Sequence, residues 1–345
     1  MSRLSAKTCA PTRPGGSPVF ERAGSVGTPP QHYGNPLSEQ KAILSGALVE
    51  LASSVITLTG PDRLSWLDSL TSQSLKALQP GESAETLLLD PSGRLEHAIH
   101  VVDDGNVSYL IASDGPGLYA FLSRMVFMLR VEVVLTDLRV VGSFASLDAL
   151  ATWVDPWEAG PGHTYAESRP DAPWSYREHV VAPDFSWHGP VAGTLALEAL
   201  RIAAWRPAQQ DADDRTIPHE LDWLRSAVHL TKGCYRGQET IAKVHNLGHP
   251  PRRVVLLHLD GTVPAAGSAV LAGDVQVGAV TSSALHWELG PIALAVIKRS
   301  VDPTVDLVVQ TDDGPIAAAQ EVIVPTDAGA TANVPRLPRL GAVRR

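Results

Sequence analysis

Hydrophobic residues recur with two different periods along this chain, and each change of period marks a change of element. Val55-Ile56-Thr57-Leu58 is a short β-prone run. Past Gly60-Pro61, Leu64, Leu67 and Leu70 recur every three residues, which predicts a helix with Asp62 placed to cap it. Residues 86–89 and 98–102 read as strands flanking Asp90-Pro91-Ser92-Gly93, whose turn chemistry predicts a hairpin. Residues 107–112 continue as strand, 117–129 as helix and 131–135 as strand again. Residues 155–190 are predicted as loop, holding Trp157, Trp174 and Trp187 among prolines and glycines. An apolar helix follows over 192–205, with Leu197, Leu200 and Ala204 on one face.

Beyond Pro250-Pro251 the pattern shortens to strands alone, at 254–259, 275–281, 292–297, 305–309 and 322–324, which predicts a small β-barrel or sandwich. Mixed ββ and βα succession before it gives an α+β fold class rather than a parallel nucleotide-binding sheet. The sequence carries neither G-x-G-x-x-G nor a phosphate-loop pattern. Both ends are rich in Pro, Gly, Ser and Thr without hydrophobic periodicity. The predicted organisation is a disordered tail over 1–31, an α+β body over 32–249, a β-barrel over 250–325 and a second disordered tail over 326–345.

At 345 residues and 44% hydrophobic content the chain has ample material for two or three domains. Two cysteines, Cys9 and Cys234, cannot form a disulfide framework, so the expected location is cytoplasmic. The N-terminal stretch lacks the apolar core of a secretory signal, and no apolar run reaches the ~18 residues of a spanning helix. A net charge of −9 argues against nucleic acid and against a membrane as partners. Locally the balance reverses: Lys232, Arg236, Lys243, Arg252 and Arg253 face one acid, Glu239, which marks a candidate site for a small polyanion.

Within that stretch Lys232-Gly233-Cys234-Tyr235-Arg236-Gly237-Gln238-Glu239 places a cysteine between two cations and two glycines. Neighbouring cations favour the thiolate, the reactive and metal-binding form. Glu239 with Ile241 and Val244 predicts a helix starting just after, whose positive end would act in the same sense. The glycines would allow positive φ and close backbone approach. The plain structural alternative is a small apolar residue in a buried turn. One motif cysteine cannot hold an iron–sulfur cluster, which normally takes four protein ligands. The sulfur remains open to three roles: one ligand at a transient interface, a redox-active thiol, or a nucleophile. A Cys/His hydrolase dyad has no local support. No metal site is expected: His97 and His100 fall on opposite faces of a strand, and His245 and His249 span a helix end.

Those eight residues match, position for position, the K-G-C-Y-x-G-Q-E motif of the YgfZ folate-binding proteins, relatives of the glycine-cleavage T-protein (aminomethyltransferase) that help build or repair iron–sulfur enzymes. The chain also resembles that family at His32-Tyr33-Gly34, at residues 58–64 through Thr71-Ser72-Gln73, at 89–94 and at 216–220, so that the likeness spans roughly 31–325. The resemblance implies a three-lobed T-protein-like ring, two α+β lobes around a folate channel plus the C-terminal barrel. It implies tetrahydrofolate as cofactor, and client iron–sulfur proteins or assembly factors as partners. Cys234 is then the working residue. Lys232, Gly233, Tyr235, Arg236, Gly237, Gln238 and Glu239 shape its loop: Gln238 and Glu239 by hydrogen bonds, Tyr235 by packing or through its hydroxyl.

Two departures from the T-protein pattern bear on activity. Glu96 and His97 stand where that enzyme has acidic residues that assist aminomethyl transfer. Within Leu200-Arg201-Ile202-Ala203-Ala204-Trp205, Ala203 replaces the glutamate that grips the pterin. Arg201 and Trp205 are carried as possible folate-site residues with Glu96 and His97. The first expectation is a folate-binding accessory protein for iron–sulfur cluster assembly or repair; the alternatives are a folate-dependent one-carbon transferase and a scaffold with a buried, unreactive Cys234.

Overall fold

A computed structural model describes residues 24–166, 169 and 172–332. The hairpin predicted around residues 90–93 forms between β3 (Ser83–Leu89) and β4 (Leu95–Asp103). These strands join β5 (Val107–Ala112), β2 (Ser54–Thr59) and β6 (Glu132–Leu135) in an antiparallel sheet ordered β3-β4-β5-β2-β6. Strand alternation sends Leu88, Ile99, Val101 and Leu110 to one core, under α2 (Arg63–Leu70) and α3 (Gly115–Met125). Leu87, Leu89, Val102 and Ile111 go to the other face and enter the central core of the molecule. Glu96 is the extra residue of a bulge, because Leu88 pairs with His97 while Leu89 pairs with Leu95.

A second antiparallel sheet is ordered β1-β7-β9-β8 and comprises β1 (Val49–Glu50), β7 (Arg139–Ser143), β9 (Arg177–Val181) and β8 (Ala151–Val154). Here the loop expected over 155–190 is corrected: β9 runs through it, and Trp157 and Trp174 are buried in the central core. Large aromatic rings such as these draw the intervening chain into the core despite its prolines and glycines. Alongside lie α1 (Pro36–Leu44) and α4 (Thr194–Ala203).

The C-terminal domain is a closed barrel in the order β10-β13-β12-β11-β14-β15. Its strands are β10 (Arg252–Leu259), β11 (Ala269–Ala272), β12 (Val275–His286), β13 (Gly290–Lys298), β14 (Leu307–Thr311) and β15 (Gly314–Val322). Strand β10 is apolar almost throughout because both its faces are buried: Val255 and Leu257 fill the barrel, Val254 and Leu256 join the central core. The strand expected at 322–324 lies earlier, at β15, and β11 was not expected at all.

Other expectations shift at their edges. The helix expected over 117–129 stops at Met125, and Met128 adopts a positive φ of 54°. Asp62 precedes α2 but makes no side-chain cap; its carboxylate takes the Arg130 guanidinium at 2.9 Å instead. The first tail is ordered from residue 24 within the described chain: the Pro30 and Gln31 carbonyls accept the amides of Thr194 and Leu195 at the start of α4. Residues 326–332 likewise pack on the end of α5 (Gln238–Leu247), where the Ala330 and Thr331 amides reach the Val244 and His245 carbonyls. Cys9 and the rest of both tails lie outside the described residues. Among the described residues no helix is long and apolar enough to cross a membrane.

Candidate functional site

The motif residues form a loop that leads into α5, and backbone geometry explains its glycine content. Gly237 has φ +82°, and a Cβ there would lie 2.6 Å from the Asp90 carbonyl oxygen and 2.9 Å from the Cα of Gly93. Gly93 is itself at φ +77°, against Thr240. The hairpin tip and the motif loop therefore lock together through two facing glycines. Gly233 differs from the expectation: it has no positive φ, and open space surrounds it.

Cys234 is exposed, so the buried-turn alternative does not apply, nor does the scaffold reading that rested on it. The two flanking cations do not point at it as expected. The Lys232 side chain is buried and donates to the carbonyls of Asp68 (2.5 Å), Thr71 (2.8 Å) and Gln73 (2.6 Å), with the Asp68 carboxylate at 3.5 Å. It ties the motif loop to the end of α2. Arg236 makes a two-toothed ion pair with Glu96 at 2.6 and 3.1 Å and lies over the ring of Phe121. Tyr235 is buried, which raises its hydroxyl above the ordinary range. The Gln238 amide reaches the Lys232 carbonyl at 3.4 Å, while Glu239 is exposed in the first turn of α5.

The expected polyanion patch is also taken apart. Arg252 is held by Asp213 and Glu220, and Arg253 is buried at the end of the barrel against the Val301 carbonyl and Gln320. Of the five cations, Lys243 alone is left exposed among the described residues. Sequence proximity gathered these charges; folding paired Lys232, Arg236 and Arg252 with carboxylates and buried Arg253.

A cavity of about 500 Å³ opens elsewhere, between the two sheets and α4, and Cys234 is not among its walls. Ala98 and His100 of β4 form one wall, Trp153 and Glu178 of the second sheet another, and Leu197, Glu198 and Arg201 of α4 a third. Three charged clusters organise it. His100 stacks on Trp153 with centroids 3.7 Å apart and donates from Nδ1 to Glu178 at 2.8 Å, the ionised carboxylate being an acceptor only. Arg206 bridges Glu85 (2.8 Å) and Asp155 (2.9 Å), and Glu85 also accepts from Trp223 and Ser226. Arg201 grips Glu198 with two nitrogens and reaches Asp211 at 2.7 Å and Ser282 of the barrel at 2.8 Å.

Protonation follows from this arrangement. Burial disfavours the Glu85 anion, yet Arg206 and His100 outweigh it and the carboxylate titrates below its ordinary value. Asp155 goes the other way: burial, reinforced by the charge of Glu85, holds it above the ordinary range despite Arg206. Burial alone would lower His100, but Glu178 and Glu85 more than offset it and its pKa is raised. The cavity thus presents carboxylates and one imidazole held towards its charged form, on walls of tryptophan and tyrosine. Its volume lies in the range of small-molecule sites, roughly 300–1,000 Å³.

Of the sequence-derived folate candidates, Arg201 lines the cavity, as a brace rather than a free cation. Glu96 turns to Arg236, at the end of β4 nearest the motif; His97 faces away from Ala98 and His100; neither lines the cavity. Trp205, at φ 58°, packs beside Arg169 outside it. On α4 it is Glu198, not position 203, that brings a carboxylate to the cavity wall. Sequence reading missed Glu85, Asp155, Glu178, Glu198 and Arg206, and treated His100 only as a possible metal ligand. A usable signal existed: His100 interrupts the otherwise apolar face of the strand predicted over 98–102, and Glu85 directly precedes the one predicted over 86–89.

Comparison with known proteins fits this architecture. No family model matches the chain. It is 28% identical over 277 residues to the iron–sulfur cluster assembly factor IBA57 homolog, mitochondrial, of Mycosarcoma maydis, covering 71% of this chain and 66% of that protein, just under two thirds of its length. It is 28% identical over 296 residues to the aminomethyltransferase of a Nostoc species, covering 70% of this chain and 73% of that one. The fold matches the glycine cleavage system aminomethyltransferase T of Bartonella henselae with a TM-score of 0.68 at 18% identity, over 89% of this chain and 95% of that one.

Proposed function

We propose that this chain, a YgfZ-like relative of the glycine-cleavage T-protein, is a folate-binding accessory protein for the assembly or repair of iron–sulfur enzymes. The observation that carries the folate part is the cavity: about 500 Å³, walled by indoles and by the carboxylates of Glu198, Glu178 and Glu85. A pterin is flat and carries a guanidine-like edge, and a carboxylate meets such an edge through charge-assisted hydrogen bonds. The residues present therefore fit the ligand, with Glu198, oriented by Arg201, offering its remaining lone pairs in the clasping role. Tetrahydrofolate supplies the chemistry of a one-carbon carrier; the protein positions it and limits water around it.

The iron–sulfur part rests on the similarity to the fungal assembly factor and on the exposed thiol of Cys234. Client iron–sulfur proteins or assembly factors are the proposed partners, meeting the protein at the motif loop. A cytoplasmic location belongs to this proposal.

Folate-dependent one-carbon transfer is the second reading, favoured by the aminomethyltransferase similarity. Glu96 is a poor candidate for its base because Arg236 holds both its oxygens. Incubation with methylene-tetrahydrofolate and a candidate acceptor separates the readings: turnover establishes the transferase, and binding without turnover leaves the accessory role.

The proposal is tested in two halves. Tetrahydrofolate titrated into the protein is expected to quench tryptophan fluorescence, because Trp153, Trp174 and Trp223 line the cavity. Cys234→Ala is expected to leave folding intact and to lower client iron–sulfur enzyme activity in cells. No binding refutes the first half; unchanged client activity refutes the second.

A further inference from the structure

The guanidinium and indole N–H donors that face the cavity are committed within the protein. Arg206 gives Nε to Asp155, Nη2 to Glu85 and Nη1 to the Pro207 carbonyl. Arg201 is held by Glu198, Asp211, Ser282 and the Arg206 carbonyl. The indoles of Trp153, Trp174 and Trp223 donate to the Ala84 carbonyl, Asp155 and Glu85. His100 Nε2 stands apart. Its neighbour Glu85 Oε1 is 3.9 Å away, beyond hydrogen-bonding distance, and the side chain keeps 22% of its surface open. Among the described residues it is the one charged or ring-nitrogen donor of the cavity wall with a ring N–H left without a hydrogen-bond partner.

We infer that His100 is the specificity-determining donor of this cavity: aimed by Glu178 at Nδ1 and by the face of Trp153, it presents Nε2–H to a carbonyl oxygen or ring nitrogen of a flat heterocyclic ligand. The ligand class is taken from the folate reading, on which this inference rests. Carboxylates elsewhere in the wall meet donors of the ligand; His100 meets its acceptor. A heterocycle with donors alone is thereby disfavoured.

The hydrogen bond to Glu178 makes the contact dependent on charge. Nδ1 keeps its hydrogen for the carboxylate, so loss of one proton from the imidazolium bares the Nε2 lone pair and turns a donor into an acceptor. The charged and titratable groups facing the ring are Glu178 from β9, Glu85 from β3 and Arg206 beyond α4, with Asp155 and Tyr176 behind them. Glu178 and Glu85 favour the proton and Arg206 opposes it, with a net rise. Affinity is therefore full at low pH and falls as pH climbs through the raised pKa of His100.

The test is calorimetric titration of tetrahydrofolate into the full-length protein from about pH 6 to about pH 9, for wild type and His100→Gln. Glutamine keeps an amide donor but cannot titrate. Wild type is expected to weaken by about tenfold per pH unit above the His100 pKa, and His100→Gln to lose that dependence while still binding. Wild-type binding that is flat with pH, or a slope that survives in His100→Gln, overturns the assignment of His100 alone. No binding by wild type at any pH overturns the folate reading and the ligand assigned to His100 with it.

Discussion

The motif loop and the cavity are built in opposite ways. Eight consecutive residues make the loop, and most of them shape backbone: Gly237 clears the hairpin tip, Lys232 ties down three carbonyls, and Arg236 is held by Glu96. The cavity draws Glu85, His100, Asp155, Glu178, Glu198 and Arg206 from six separate stretches of chain, and these carry charge rather than shape. A contiguous motif marks where the chain must bend and dock, whereas recognition chemistry is gathered by tertiary contacts. The two regions meet along β4, whose Glu96 serves the motif while Ala98 and His100 serve the cavity.

The largest effect is expected on the cavity side. Arg206→Leu leaves Glu85 and Asp155 buried without their common cation, and should cost about 3–5 kcal/mol in urea denaturation. A loss well under 1 kcal/mol would mean that water, not Arg206, compensates these carboxylates. On the motif side Gly237→Ala forces a side chain into the left-handed region against the Asp90 carbonyl, and should cost about 1–3 kcal/mol by the same measurement.

Histidine titration sharpens the contrast, since a histidine buried beneath the motif's helix and the cavity histidine shift in opposite directions. His219, fully buried beside His245 and His163 beneath α5, is pushed down to about 3 by burial and by its histidine neighbours. The unfolded chain takes up a proton there near the ordinary value and the folded chain does not, so stability falls as pH drops from about 6.5 towards about 3. The expected slope is about 1.4 kcal/mol per pH unit, and His219→Leu should remove it. His100, raised by Glu178 and Glu85, has the opposite sign: its contribution is present at low pH and fades as pH rises through its folded value. The smallest effect belongs to Cys234→Ser, which should change stability by less than about 0.5 kcal/mol because the side chain is exposed.

Period and turn chemistry made most of the fold readable. The 90–93 hairpin, α4, α5 and the all-β C-terminal region follow from patterns that local physics dictates. What escaped was set by distant partners. Strand β9 lay hidden among prolines because its register comes from β7 and β8. Residues 24–31 and 326–332 look like tails but are held by the ends of α4 and α5. The motif was legible as a place, but not the direction of its charges: spacing showed Lys232 and Arg236 beside the cysteine, yet only the folded partners Asp68 and Glu96 show where those charges go. Glu198 was invisible as a site residue because nothing local separates it from an ordinary i,i+3 partner of Arg201.

The central claim is that ligand recognition and the thiol occupy different places. Calorimetry with tetrahydrofolate on Cys234→Ala and Glu198→Gln tests it directly. The account predicts wild-type affinity for Cys234→Ala and a loss of about tenfold or more for Glu198→Gln, since a charge-assisted contact becomes a neutral one. The reverse pattern, with binding lost in Cys234→Ala and kept in Glu198→Gln, would contradict it.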